Sequence, residues 1–482
     1  MKKEYLFYLA ISTIFIFIVS PSLFSKGMFM DGILYADISK NLAHGIGSFW
    51  DLKITETFYP HFHEHPPLVF ALQSIFFRIF NDTLVSERIY SLFTFFLTAW
   101  VITKIWKEIT IKDFHNIAWF PLFLTLSVPV TTWSAANNML ENTMMVFTSS
   151  SILFIIKSTK SNRLINLIIG GFILFLAFMS KGLVALYILS FLFWYWIFIK
   201  NSSLKDFIIS SSILLISFLM PFLIIYLTQP EGIDSLMAYF NKQIVRSIDE
   251  VVTVESRLFI VKRLFNELIP SGIIVLLIII FTRKSKIKLD RSEWGFIFFA
   301  TALSGVIPIM ISMKQSGFYI LSTYPLFAIA FSLLIAPKLS FLVEKINIKS
   351  IKYKIFTIAI FIAFGFSIVF AYIQTKNVSR DKDIISDIYT LKSVVPDNST
   401  ISISPNLYKN WALHGYFYRY SNINLDKLNF YHKYLLVPLN YKDTLLNNYT
   451  KYNIKLKYFE LFEHNTSKIN QDENTDIQRN IN

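Results

Sequence analysis

Residues 355–374 read IFTIAIFIAFGFSIVFAYIQ, twenty consecutive positions without a single charge. A helix rises about 1.5 Å per residue, so a run of this length covers the ~30 Å of hydrocarbon in a bilayer. Working outward, similar apolar runs fall near 5–24, 86–103, 115–132, 139–156, 164–180, 183–199, 206–228, 267–282, 294–312 and 317–336. With the first they make about eleven expected spans. The composition agrees, because 54% of the 482 residues are hydrophobic and only 16% charged, far more apolar surface than one soluble core can bury. The opening Met1-Lys2-Lys3 and the apolar stretch to Leu23 are read as a first span and not a cleaved leader, since no small-x-small cleavage site follows.

The net charge of +14 does not point to nucleic acid, because the basic residues sit in short loops between apolar runs. Alternating the loops between two sides puts Lys2, Lys3, Lys104, Lys107, Lys112, Lys157, Lys160, Arg163, Lys200, Lys205, the 283–291 run and the lysines of 338–354 in one set. That set is expected to be cytoplasmic, with the N-terminus. The opposite set holds two long loops, 25–85 and 229–266, and everything after the last span. The 66–80 segment is apolar but short. It reads as an interfacial helix on the outer surface, since a span there would invert every later loop. Residues 375–465 alternate helix-like segments with strand-like ones at 400–404, 434–437 and 455–459, a small extracytoplasmic α/β domain. Residues 466–482 are polar and expected to be disordered. The fold class is therefore an all-α polytopic membrane protein with a transmembrane domain over 1–374. Absence of cysteine excludes thiol chemistry and disulfides.

Ionisable groups are costly beside lipid, so those at the outer ends of spans are candidate functional residues. Asp31 follows the first span, and Arg88 opens the second. Glu141 begins the fourth after Asn137 and Asn138. Lys181-Gly182 joins the fifth and sixth, while Lys314 and Tyr319 lie between the ninth and tenth. Loop 25–85 also carries His61-Phe62-His63-Glu64-His65-Pro66-Pro67-Leu68. Period-two spacing would put His61, His63 and His65 on one face of an extended segment, as a metal site requires, although loop histidines are more often plain polar residues. Glu64 is either an orienting group for that site or surface charge. Glu141 also suits a helix N-terminus, and Lys181 and Lys314 also suit interfacial snorkelling. Arg246, Arg257, Lys262 and Arg263 read as a solvated face that could meet anionic lipid. Trp133 reads as a residue of the interfacial aromatic belt.

Taken together, Asp31 with Tyr35 and Ser39, His65-Pro66-Pro67-Leu68, Arg88, Glu141, Lys181-Gly182, and Lys314 with Tyr319 and Pro325 resemble the motifs of the GT-C membrane glycosyltransferases. The families in question are the protein O-mannosyltransferases and the aminoarabinose transferases that modify lipid A. The resemblance covers roughly the first 340 residues and is strongest over 31–91. His65 stands where the family usually has Lys, and Glu141 where it usually has Asp. The resemblance implies an inverting transfer of sugar from a polyprenyl-phosphate donor to lipid A, a protein or a glycan, on the outer face of the inner membrane. It implies no nucleotide sugar and requires no cofactor, with a divalent ion on the histidines as the one metal alternative. Asp31 and Glu141 are then the catalytic carboxylates. His65, Arg88, Lys181 and Lys314 bind the donor phosphate, and Tyr35, Glu64 and Tyr319 bind substrate. A flippase for lipid-linked sugars, with charges near the bilayer midplane, and an envelope assembly protein are the rival readings.

Overall fold

The computed structural model describes residues 2–245, 251–427 and 432–465. It forms two compact units, one of Met1–Phe24 with His63–Thr375, the other of Ser25–Phe62 with the chain from Lys376 onward. The expected tail at 466–482 and Arg246 lie outside the described residues.

In chain order the helices up to Thr375 are α1 (Lys3–Leu23), α2 (Met30–Ala43), α3 (Leu68–Phe80), α4 (Ser86–Ile109), α5 (Trp119–Ser127), α6 (Pro129–Ala136), α7 (Leu140–Ser158), α8 (Arg163–Lys181), α9 (Ser190–Phe198), α10 (Leu204–Thr228), α11 (Pro230–Tyr239), α12 (Phe259–Phe281), α13 (Glu293–Val306), α14 (Tyr324–Glu344) and α15 (Ile351–Gln374). All but α2 belong to the first unit, and this chain is a multi-pass membrane protein. Eight helices are long and apolar enough to cross a bilayer, α13 and α14 being lengthened by the turns Ile307–Ile311 and Gly317–Thr323. A ninth is reached if Lys112–Ser127 and Pro129–Ala136, bent by 80° at Val128, count as one span. The other two of the eleven apolar runs are helical as well. Leu183–Phe198 is short and starts as a 3-10 turn. The 19-residue α7 is more polar than the rest, with Glu141, Asn142, Thr143, Thr148, Ser149 and Ser151 all buried. A helix enclosed by protein can carry such groups, because its neighbours and not lipid satisfy them. Ser151, for example, donates to the carbonyl of Gly170 at 2.9 Å. Gly171 lets α8 and α10 touch backbone to backbone, since a Cβ there would lie 2.5 Å from the Leu214 carbonyl oxygen.

Loops of the same set touch one another. At one end Lys3 donates to the carbonyls of Val343 (2.8 Å) and Glu344 (3.1 Å), Lys160 pairs with Glu108 (3.1 Å), and Arg163 pairs with Asp206 (2.7 Å). At the other, Thr253 takes the Met313 carbonyl (3.1 Å) and the buried Gln315 side chain accepts from the Ile260 amide (2.9 Å) and donates to the Arg257 carbonyl (3.0 Å). The 66–80 segment is the 13-residue α3, starting at Leu68 after the paired prolines and too short to span.

The second unit continues with α16 (Lys382–Leu391), the short α17 (Pro405–Tyr408) and α18 (Trp411–Ser421), and strands β1 (Thr400–Ile403), β2 (Asn424–Lys427), β3 (Tyr434–Pro438), β4 (Tyr449–Lys451) and β5 (Phe459–His464). The sheet order is β2-β1-β3-β5-β4, with β1 parallel to β2 and β3 and the β3-β5 and β5-β4 pairs antiparallel. Its central strands bury Ile401, Ile403, Leu435, Leu436, Val437 and Leu461. The strand expected at 455–459 begins only at Phe459, because the buried Asp387 carboxylate collects the amides of Lys457, Tyr458 and Phe459 and keeps them from the sheet. Residues 25–62 are stitched into this unit. Lys26 and Ser379 exchange with the opposite backbone at 2.9 Å, and α2 packs so closely on α18 that a Cβ at Gly415 would meet Ile33 at 2.7 Å.

Candidate functional site

In the first unit, the start of α7 and the end of α8 meet. Asn138 adopts φ +51° before α7, a conformation asparagine tolerates, and places Glu141 in the first helical turn where a carboxylate suits the helix dipole. Lys181 is the last residue of α8, the favourable position for a cation. Its Nζ lies 3.1 Å from Glu141 Oε1, with the side chains 8% and 0% exposed. The approach is that of an ion pair and not an aligned hydrogen bond, and Glu141 Oε2 has no hydrogen-bond partner among the described residues.

Gly182 ends α8 at φ +81°, where a side chain is strained in any case. A Cβ there would also sit 1.7 Å from the hydroxyl oxygen of Tyr239. That hydroxyl accepts from the Leu183 amide at 3.3 Å, so the glycine lets α11 close over the Lys181 turn.

Around the pair stands an aromatic wall. Lys181 Nζ is 6.0 Å from the ring centres of both Phe318 and Tyr319, within cation–π reach, and Trp133 stacks on Phe318 at 5.8 Å. Trp133 is therefore part of this wall. A second cation is fixed nearby in a chain of polar groups: Lys314 Nζ donates to Gln243 Oε1 (2.7 Å), and Gln243 Nε2 donates to Glu64 Oε2 (2.9 Å). His65 lies within electrostatic reach of both lysines, and burial first, then Lys181 and Lys314, hold its imidazole well below the usual 6.5. Both effects disfavour the protonated form of His65. Lys181 and Lys314 bring two ammonium groups to this corner.

The three histidines expected as metal ligands have separate partners. His61 bonds Asp51 Oδ1 at 2.8 Å, His63 bonds Ser235 Oγ at 3.0 Å, and His65 faces the lysines. Among the described residues no three His, Cys, Asp or Glu side chains gather as metal ligands. Arg88, in the first turn of α4, donates Nη1 to the carbonyls of Ser22 (2.8 Å) and Leu23, capping the C-terminal end of α1. Asp31 and Tyr35 belong to the second unit: Asp31 stands in the first turn of α2, and the buried Tyr35 follows one turn later, its carbonyl accepting from Ser39 Oγ at 2.8 Å.

Several residues of this region gave no signal in the sequence. Gln243 lies on the π-helical turn Phe240–Val245 of a loop noticed only for its charges. Gln73 bonds Asn138 at 2.7 Å, holding α3 to the start of α7. Arg263, read as a solvated residue, pairs with the buried Glu267 at 2.6 Å, and Glu267 Oε2 accepts the Val130 amide (2.8 Å) freed by the bend before α6. Arg257 and Lys262 are exposed.

Residues 64–225, which carry Glu64, His65, Arg88, Glu141 and Lys181, match the family model of the dolichyl-phosphate-mannose-protein mannosyltransferases. No curated protein matches the chain by sequence. Among solved structures, ArnT from Cupriavidus metallidurans bound to undecaprenyl phosphate superimposes with a TM-score of 0.68 at 12% identity, covering 95% of this chain and 97% of that one. The apo form of the same protein gives 0.65 at 12% identity, covering 94% and 97%. The Archaeoglobus fulgidus oligosaccharyltransferase in complex with zinc and sulfate gives 0.51 at 12% identity, covering 94% and 72%. At these identities the likeness is one of fold. By sequence over residues 64–225 and by fold over nearly its whole length, this chain is similar to the GT-C membrane glycosyltransferases of the ArnT and protein mannosyltransferase kind.

Proposed function

We propose that this protein transfers a sugar from a polyprenyl-phosphate donor to an acceptor of the cell envelope, with inversion at the anomeric carbon. The undecaprenyl phosphate bound to ArnT supports a carrier lipid of this class. One observation carries the reading. Two ammonium groups, Lys181 and Lys314, are held by a buried carboxylate and a side-chain amide beside His65. Fixed cations in a low-dielectric setting are what a departing phosphate needs, because they stabilise charge that develops only as the bond breaks.

In this scheme the acceptor oxygen attacks the anomeric carbon, and the carbon–oxygen bond to phosphate breaks. Its electron pair leaves with the lipid phosphate against Lys181 and Lys314. Asp31 takes the acceptor proton as general base. Where the acceptor is itself a phosphate, Asp31 positions it instead. Glu141 keeps Lys181 charged and aimed, and its unpartnered Oε2 is available to a sugar hydroxyl. Arg88 anchors the end of α1, from which the Asp31 segment leaves. Tyr35, Glu64 and Tyr319 shape the substrate side, and the outer face of the inner membrane is where such a carrier lipid presents its head group.

The test is transfer from a labelled polyprenyl-phosphate sugar by the purified protein, alongside mass spectrometry of envelope lipids and proteins from cells with and without it. Asp31→Asn should lower transfer by about 10²- to 10⁴-fold with hydroxyl acceptors while donor binding persists. An Asp31→Asn protein as active as the parent, or envelopes of identical mass, would end this proposal.

A further inference from the structure

Away from the lysine pair, α1, α4 and α5 enclose a second concavity, a groove of about 440 Å³ at the end of the bundle where α1 begins. That volume is in the range of small-molecule sites. Its walls are apolar and aromatic, among them Phe15, Phe95 and Leu126, and it is open sideways: Tyr5, Phe96 and Trp100 on its rim are 57%, 58% and 59% exposed. On a bundle embedded in a bilayer such a lateral opening faces lipid tails.

The groove has two charges, both at one end. Glu4 is in the first turn of α1 and Lys107 in the last turn of α4, and both line the opening. Among the described residues neither forms an ion pair. One turn further in, about 5.4 Å along the helix, Tyr8 also lines the groove. Its hydroxyl is buried beside that of Thr103, which donates to the Ala99 carbonyl at 2.9 Å, so Tyr8 contributes its ring to the wall.

We infer that this groove binds one glycerophospholipid with a zwitterionic, primary-amine head group. The phosphate lies on Lys107, the ammonium on Glu4, and an acyl chain fills the aromatic trough. The argument is charge complementarity. An anionic lipid would leave Glu4 facing a like charge, and a quaternary amine cannot donate a hydrogen bond to its carboxylate. The site is separate from the Glu141–Lys181 region and does not depend on the transfer reaction.

Native mass spectrometry of the full-length protein in detergent, with equimolar phosphatidylethanolamine, phosphatidylcholine and phosphatidylglycerol of identical chains, tests it. One phosphatidylethanolamine should be retained, roughly tenfold over the other two, as one charge-assisted hydrogen bond provides. Glu4→Gln should erase the preference for the primary amine, and Lys107→Gln should lower retention of all three lipids. Glu108→Gln, whose carboxylate pairs with Lys160 and does not line the groove, serves as the control and should change nothing. Equal retention of the three lipids, a preference for the anionic one, or ratios unmoved by Glu4→Gln would each overturn the proposal.

Discussion

The two ends of the helical bundle use charge in opposite ways. At the lysine-rich end the ion pairs are open to solvent, Lys160 and Glu108 being 48% and 33% exposed. At the other end the pair of Glu141 and Lys181 is all but sealed, at 0% and 8%. Surface pairs contribute little because water screens them and two long side chains must be ordered. A buried pair is costly to assemble, and a hydrophobic pair of similar volume would often be as stable. Charge at the first end is thus consistent with orienting the chain. At the second it is retained against its own desolvation cost, which argues for a chemical role.

Breaking the sealed pair from one side gives the largest expected effect. Glu141→Ala or Lys181→Ala strands an uncompensated charge and should lower stability by roughly 3–5 kcal/mol, read as a fall in thermal midpoint in detergent. The double substitution Glu141→Leu with Lys181→Met should recover most of that loss while remaining inactive in transfer. If the apolar pair restored activity as well as stability, the site would not need its charge. Next comes Gly182→Ala, which combines a strained φ with the collision against Tyr239 and should cost on the order of 2–3 kcal/mol. Adding Tyr239→Ala removes the collision and should return part of the loss, leaving the backbone strain. A Gly182→Ala protein as stable as the parent would mean that α11 does not pack on this turn as described.

His65 gives the sealed end a pH signature. Its folded pKa lies below the unfolded value of 6.5, so the stability of the neutral, buried imidazole is fully present above about pH 6.5 and is lost as pH falls toward the depressed value. The thermal midpoint should therefore fall between pH 7 and 5, and His65→Gln should flatten that part of the slope. Donor affinity, in contrast, should not rise as pH passes down through 6.5. A rise there would show that the imidazole takes up a proton and binds phosphate after all.

How much of this could be read beforehand follows from the range of the forces involved. The apolar runs set the helices, because span length is a local property. The loop charges sort the loops into two sets by a rule that also needs no tertiary information. Resemblance of motif brought Glu141, Lys181, Lys314, Tyr319, Glu64 and His65 to one list, and the structure brings those six to one corner. What stayed hidden depends on contacts made only on folding. Gln243 is a glutamine in a polar loop until Lys314 and Glu64 are placed on either side of it. The depressed pKa of His65 depends first on its burial and then on two lysines more than a hundred residues away. The edge strands Asn424–Lys427 and Tyr449–Lys451 are three or four residues long and lack an apolar alternation, so nothing in their sequence separates them from loop. Residues 25–62 joining the sheet unit likewise follows from long-range pairing through Lys26 and Val378.

The smallest effect is expected at the open end, and it is the control for all the others. Lys160→Ala removes the contact with Glu108, leaving a carboxylate that water can solvate where it stands. Stability should change by no more than roughly 1 kcal/mol, less at high salt, and sugar transfer should be unchanged. Salt also separates the two ends directly. Raising ionic strength should erase the small Lys160 effect but leave the Lys181→Ala penalty almost intact, because counterions do not reach a pair enclosed by protein. If both penalties fell together with salt, the Glu141–Lys181 pair would be open to solvent, and the contrast between the two ends would be one of degree.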